Sequence, residues 1–128
     1  MLSGERLLIV EEEFLIALEI QRVLEGTNAQ QPVFARNFDE VATLTDRLAE
    51  FDLAIVTPPR LGTADHAVFE KLVTAGLAVV ICSAVPERLA KTGLTAGEFV
   101  SKPFSDAELL AACRRALARR TEVRSACG

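Results

Sequence analysis

Phe51-Asp52-Leu53-Ala54-Ile55-Val56-Thr57 is the stretch that decides the fold. Leu53 to Val56 is an unbroken apolar run, which reads as a strand buried on both faces, since a half-buried strand would alternate with polar residues. The run ends in a hydroxyl followed by Pro58 and Pro59, which cannot donate to a sheet ladder, so the chain turns into a loop there. Working outward, Leu7 to Val10 before it and Leu77 to Cys82 after it repeat the pattern. Phe99 to Ser101 forms a short last strand, and Pro32 to Ala35 a weaker second one. The segments between have helical spacing. Ile16, Ile20, Val23 and Leu24 mark a helix from Phe14 to Glu25, stopped at Gly26. Asn37 and Glu40 form a capping box for a helix with Val41, Leu44 and Leu48 on its apolar face. Val68, Phe69, Leu72 and Val73 predict a third helix ending near Gly76, and a short helix follows from about Pro86 to Lys91. Ser105 and Glu108 cap the last helix, lined by Leu109, Leu110, Cys113 and Leu117. Buried strands alternating with amphipathic helices call for an α/β fold: a five-stranded parallel sheet with helices on both faces. Right-handed crossovers leave few topologies, of which 2-1-3-4-5 is a common one.

The chain has 128 residues, half of them hydrophobic, enough for one domain with one core. That domain spans residues 1–120. Residues 121–128 have no periodicity and are expected to fray. A formal net charge of −4 without long runs of one sign gives no footing for direct nucleic-acid binding. The basic stretch Arg114, Arg115, Arg119, Arg120 and Arg124 reads as a solvated helix end suited to the helix dipole. Cys82 and Cys113 read as core residues and Cys127 lies in the tail; their spacing matches no zinc or redox motif, which suits a reducing cytoplasm. No apolar stretch approaches the roughly 18 residues needed to span a bilayer, and Glu11 to Glu13 interrupts the first apolar run before it could serve as a signal sequence.

In sheets of this kind, ligands bind beyond the carboxyl ends of the strands. Glu11 and Glu12 end the first strand, Thr57 the third and Ser83 the fourth, while Lys102 follows the fifth. Residues far apart in sequence therefore gather at one edge. His66, the single histidine, has no partner at ligand spacing and reads as a surface residue. Asp52 opens its strand at the wrong end, and Asp65 lies eight residues past Thr57, so neither joins the group.

Over about residues 5 to 120 the chain resembles the receiver domain of bacterial two-component response regulators, a flavodoxin-like fold. Leu8-Ile9-Val10-Glu11-Glu12-Glu13 is similar to that family's opening motif, whose second acid is usually an aspartate that binds magnesium. Ser83 matches the hydroxyl residue that contacts the phosphoryl group. Lys102 matches the family lysine, and its bond to Pro103 is by resemblance cis. Phe99 matches the aromatic switch position. The interval from Ser83 to Lys102 is shorter than usual, and the fit is closest to stand-alone receivers without an output domain. In an intact site three carboxylates hold a divalent cation. The cation and the lysine then neutralise charge on the transferring phosphoryl group.

Three departures change the functional reading. Thr57 stands where the family has the aspartate that accepts phosphate, and a hydroxyl cannot form an acyl phosphate. Glu12 replaces an aspartate, moving its carboxylate by up to about 1.5 Å. Pro58 and Pro59 occupy the loop that would offer amide donors, and proline has no N–H. Glu11, Glu12, Thr57, Ser83 and Lys102 thus form a degenerate phosphorylation pocket, with Lys102 a salt-bridge partner for the glutamates. The resemblance implies an atypical single-domain receiver in phosphorelay signal transduction, not an enzyme, acting by phosphorylation-independent binding of a protein such as a histidine kinase. A homodimer stays open. The binding surface expected is that of the short helix after Ser83, the last strand with Phe99, and the last helix. No cofactor is expected beyond weakly held magnesium, for which Glu11, Glu12 and the Pro59 carbonyl are the residual ligands. Two alternatives stay open: a metal-dependent phosphatase-like enzyme on the same fold, and a receiver phosphorylated at an unusual residue.

Overall fold

The computed structural model describes residues 4–59, 63–84 and 97–127, with side chains as far as residue 120. Its sheet consists of β1 (Leu7–Val10), β2 (Val33–Ala35), β3 (Leu53–Val56), β4 (Ala78–Ser83) and β5 (Glu98–Ser101). All neighbours pair in parallel in the order β2-β1-β3-β4-β5, as expected. Every residue of β1, β3 and β4 is buried, which explains their unbroken apolar runs. Alternate residues of each strand serve opposite faces. Leu8, Val10, Ala54, Val56, Val79 and Ile81 pack with Phe69 and Leu72 of α3 (Ala64–Thr74). Leu7, Ile9, Leu53, Ile55 and Val80 pack with Ile20 and Val23 of α1 (Phe14–Glu25) and with Leu109 and Cys113 of α4 (Asp106–Cys127). Each fully buried Leu, Ile or Phe here contributes about 1.5–3 kcal/mol relative to exposure.

Several local expectations are revised. The helix opened by Asn37 is a short α2 (Phe38–Ala42) followed by a 3-10 helix, Thr45–Glu50. The Thr43 hydroxyl donates to the Glu40 carbonyl at 2.6 Å, and the Thr45 hydroxyl donates to that of Ala42. Such back-bonding competes with the α-ladder and breaks the helix, yet Val41 and Leu48 remain buried and Leu44 packs against the same core. The cap itself is made: the Asn37 side chain accepts from Glu40 N–H at 3.0 Å, while the Glu40 carboxylate reaches Arg36 N–H at 2.8 Å. Ser105 and Glu108 form the reciprocal box that opens α4.

Gly26 ends α1 with φ −75°, so no left-handed residue is needed; the Thr27 hydroxyl instead donates to the Leu24 carbonyl at 2.6 Å. Gly76, at φ +90°, does take the left-handed turn that ends α3. Gly97 is more constrained: at φ +95°, a Cβ would stand 2.6 Å from the Val79 carbonyl oxygen. The last helix runs to Cys127, past residue 120 where the apolar periodicity ends. Arg114, Arg115 and Arg119 of its basic stretch are exposed, as expected, whereas Arg120 is not. Arg115 and Arg119 each lie 3.4 Å from the Glu98 carboxylate. The largely buried Arg120 bonds the Asp52 carboxylate at 2.9 Å and its carbonyl at 3.2 Å, tying the helix to the start of β3. The short helix read near residues 86–91 falls outside the described residues.

Candidate functional site: a cavity at the strand ends

Parallel register places the polar residues side by side. Val10 pairs with Val56 and Ser83 with Ser101, so Glu11 stands beside Thr57, and Lys102 follows directly beyond Ser83. Thr57 N–H donates to the Val10 carbonyl at 3.0 Å and Lys102 N–H to the Ser83 carbonyl at 2.9 Å, extending the ladder to the edge of the site. The Lys102–Pro103 peptide bond is cis. Glu11, Glu12, Thr57, Ser83 and Lys102 all line one cavity of about 470 Å³. All five pocket residues expected from sequence are therefore brought together.

The electrostatics of this cavity are settled internally. Lys102 Nζ lies 2.8 Å from Glu11 Oε1, with the glutamate side chain 3% exposed and the lysine 17%. Glu11 Oε2 accepts the Glu13 N–H at 3.1 Å. Both oxygens of the buried carboxylate are thus engaged, as a buried charge requires. Glu12 is exposed at the rim and takes no part in the pair, so among the described residues Lys102 pairs with Glu11. Pro58 lines the cavity, whereas Pro59 is buried and is not among the described lining residues. Among the described residues, no group of three His, Cys, Asp or Glu side chains is placed to hold a metal ion.

Cys82 also lines the cavity, although its apolar setting suggested a core role alone. It has both: the residue is buried in the α1/α4 core, and burial pushes its thiol up to about 12, against a smaller lowering by Lys102. A thiol held protonated near neutral pH is a poor nucleophile. Neither Asp52 nor Asp65 lines the cavity: Asp52 is engaged by Arg120 and by Arg6 N–H, and Asp65 is buried in the first turn of α3. His66 lies on the surface of α3, 3.8 Å from Glu70. Phe99 sits on β5 opposite Ile81, 38% exposed.

Sequence reading missed an exposed apolar face on the opposite side of the sheet from Phe99. Phe14 and Leu15 are 72% and 79% exposed, and Leu18 and Phe34 are exposed as well. The available signal was that Phe14, Leu15 and Leu18 fall off the core-facing stripe of α1.

No family model matches the chain, and no curated relative does. Solved structures share its fold. A response regulator receiver domain protein from Clostridium thermocellum superposes with a TM-score of 0.73 at 18% identity, over 93% of this chain and 98% of that one. A signal receiver domain of an HD domain-containing protein from Pseudomonas fluorescens gives 0.76 at 22%, over 98% and 95%. The response regulator PhyR from Brucella abortus gives 0.79 at 23%, over 98% of this chain and 53% of that one. The fold is the flavodoxin-like receiver fold. No helix among the described residues is long and apolar enough to cross a membrane.

Proposed function

We propose that the chain is a degenerate receiver, a signalling module that works by binding other proteins and does not accept phosphate. The observation that supports this reading most is the buried Glu11–Lys102 pair standing beside Thr57. Where a phosphoryl group would need a carboxylate nucleophile, there is a hydroxyl. The lysine that would meet its charge is already held by a carboxylate 2.8 Å away. Magnesium fits poorly for the same reason: it would have to displace Lys102 from Glu11, with only the exposed Glu12 as a second charged ligand and no carboxylate at Thr57. The module has no catalytic role in this reading, and its setting is the cytoplasm. Its partners are proteins of a phosphorelay, a histidine kinase among them, met on β5 and α4 near Phe99.

Incubation with acetyl phosphate and magnesium, followed by intact-mass measurement, tests the reading. An unchanged mass is expected. A stoichiometric gain of one phosphoryl group, labile to hydroxylamine, would overturn it. Calorimetry is expected to give a magnesium dissociation constant weaker than about 0.1 mM.

A further inference from the structure

A second concavity, of about 520 Å³, lies between the outer side of α1 and β2. Glu12, Phe14, Leu18 and Gln21 line its α1 side, and Phe34 and Arg36 its β2 side. Strand addition is not what this edge invites. Pro32 has no N–H, the Arg36 N–H is bonded to Glu40, and Ala35 turns its carbonyl inward to Glu11 N–H. Within β2, that alternation leaves Phe34 as the residue whose N–H and carbonyl both face outward. What the face offers is side chains: exposed apolar residues on both walls, an acid on one and a base on the other. Glu12 and Arg36 are both exposed and form no ion pair among the described residues. On the far side of α1, by contrast, Arg22 is already bound to Glu19 and Asp106.

We propose that this groove is the seat of a second copy of the chain, related by a two-fold axis running along the groove. Such an axis exchanges the two walls without moving either end. The α1 wall of one copy then faces the β2 wall of the other, so Phe14 and Leu18 meet the copy's Phe34, and Glu12 meets the copy's Arg36. Each contact occurs twice, as an isologous interface demands. Apolar residues supply the drive, and the two Glu12–Arg36 pairs set the register. The inference does not rest on the signalling reading and stands if that reading fails.

Sedimentation equilibrium of the full chain from about 1 μM to about 1 mM tests it, with a dimer of dissociation constant below about 100 μM expected. Phe34→Glu, at an exposed position, should weaken the dimer at least tenfold while leaving circular dichroism unchanged. Glu12→Arg and Arg36→Glu should each weaken it several-fold, and the two together should restore it, which an unfolded variant cannot mimic. A monomer throughout the range would overturn the proposal, including where a different protein occupies the groove. So would a dimer indifferent to Phe34→Glu, or charge changes that add instead of compensating.

Discussion

The cavity at the strand ends and the groove beside β2 share Glu11 and Glu12 as a common wall, yet their chemistry is opposite. In the cavity, opposite charges meet within the chain: Glu11 and Lys102 are 2.8 Å apart and largely shielded from water. In the groove, Glu12 and Arg36 are exposed and unpaired among the described residues, beside apolar side chains that water still reaches. A site whose charges neutralise each other holds the fold together and has little attraction left for a ligand. A face whose charges and apolar groups lack partners retains that free energy for association.

The largest effect is expected at Lys102. Lys102→Met removes the counter-charge from a buried carboxylate and should cost about 3–5 kcal/mol in urea denaturation, because that charge is left unpaired. Glu11→Gln in the same chain should recover most of that loss. A cost below about 1 kcal/mol for Lys102→Met would mean that the pair contributes little to the fold.

Thr57→Asp asks whether the cavity can be reopened to chemistry. The new carboxylate would stand beside Glu11, compete for Lys102 and supply a metal ligand, so magnesium affinity should rise in calorimetry. Phosphorylation by acetyl phosphate should stay slow, since Pro58 and Pro59 still lack N–H groups. Each absent preorganised donor is worth about 3 kcal/mol, or roughly a hundredfold in rate. Thr57→Asp with Pro59→Asn should be faster than Thr57→Asp alone. Equal rates for the two, both matching an ordinary receiver, would show that the proline loop is no barrier.

A more gradual effect, confined to alkaline pH, comes from the two buried thiols. Burial pushes Cys82 and Cys113 from 9.0 up to about 12. The folded protein therefore keeps these protons where the unfolded chain releases them. The resulting stabilisation is fully present below pH 9 and is lost as pH rises from 9 towards 12. Urea midpoints measured on either side of pH 9 should show the fall, and Cys113→Ala should make it shallower. A curve as steep in Cys113→Ala as in the natural chain would place the alkaline loss elsewhere.

The least change is expected on the groove. Phe14→Ser alters a side chain 72% exposed and should move stability by less than about 0.5 kcal/mol, because little burial is lost on folding. A loss of 2 kcal/mol or more under conditions where the chain is monomeric would show Phe14 to be part of the core, and the contrast between the two regions would fail.

Much of this organisation was legible in the sequence because it depends on local pattern. The apolar runs of β1, β3 and β4 could only be strands covered on both faces, and the capping pairs at Asn37 and Ser105 marked helix starts. Topology followed from alternation and handedness, and with it the convergence of Glu11, Thr57, Ser83 and Lys102. The split of the second helix was less visible, because two threonine hydroxyls had to choose between water and a carbonyl. Which glutamate takes the lysine was not visible at all. Glu11 and Glu12 are chemically identical neighbours, and only the direction each side chain takes as β1 ends buries one and exposes the other. The same holds for Arg120, which resembles its helical neighbours in sequence but meets Asp52 only once α4 has packed across the sheet. Composition and periodicity determine which residues must be inside and which ends of the strands must be polar, because burial and backbone hydrogen bonding act on every residue alike. Which charges find each other, and which apolar side chains are left uncovered, was decided by the tertiary structure, because those depend on distances between segments that no local pattern encodes.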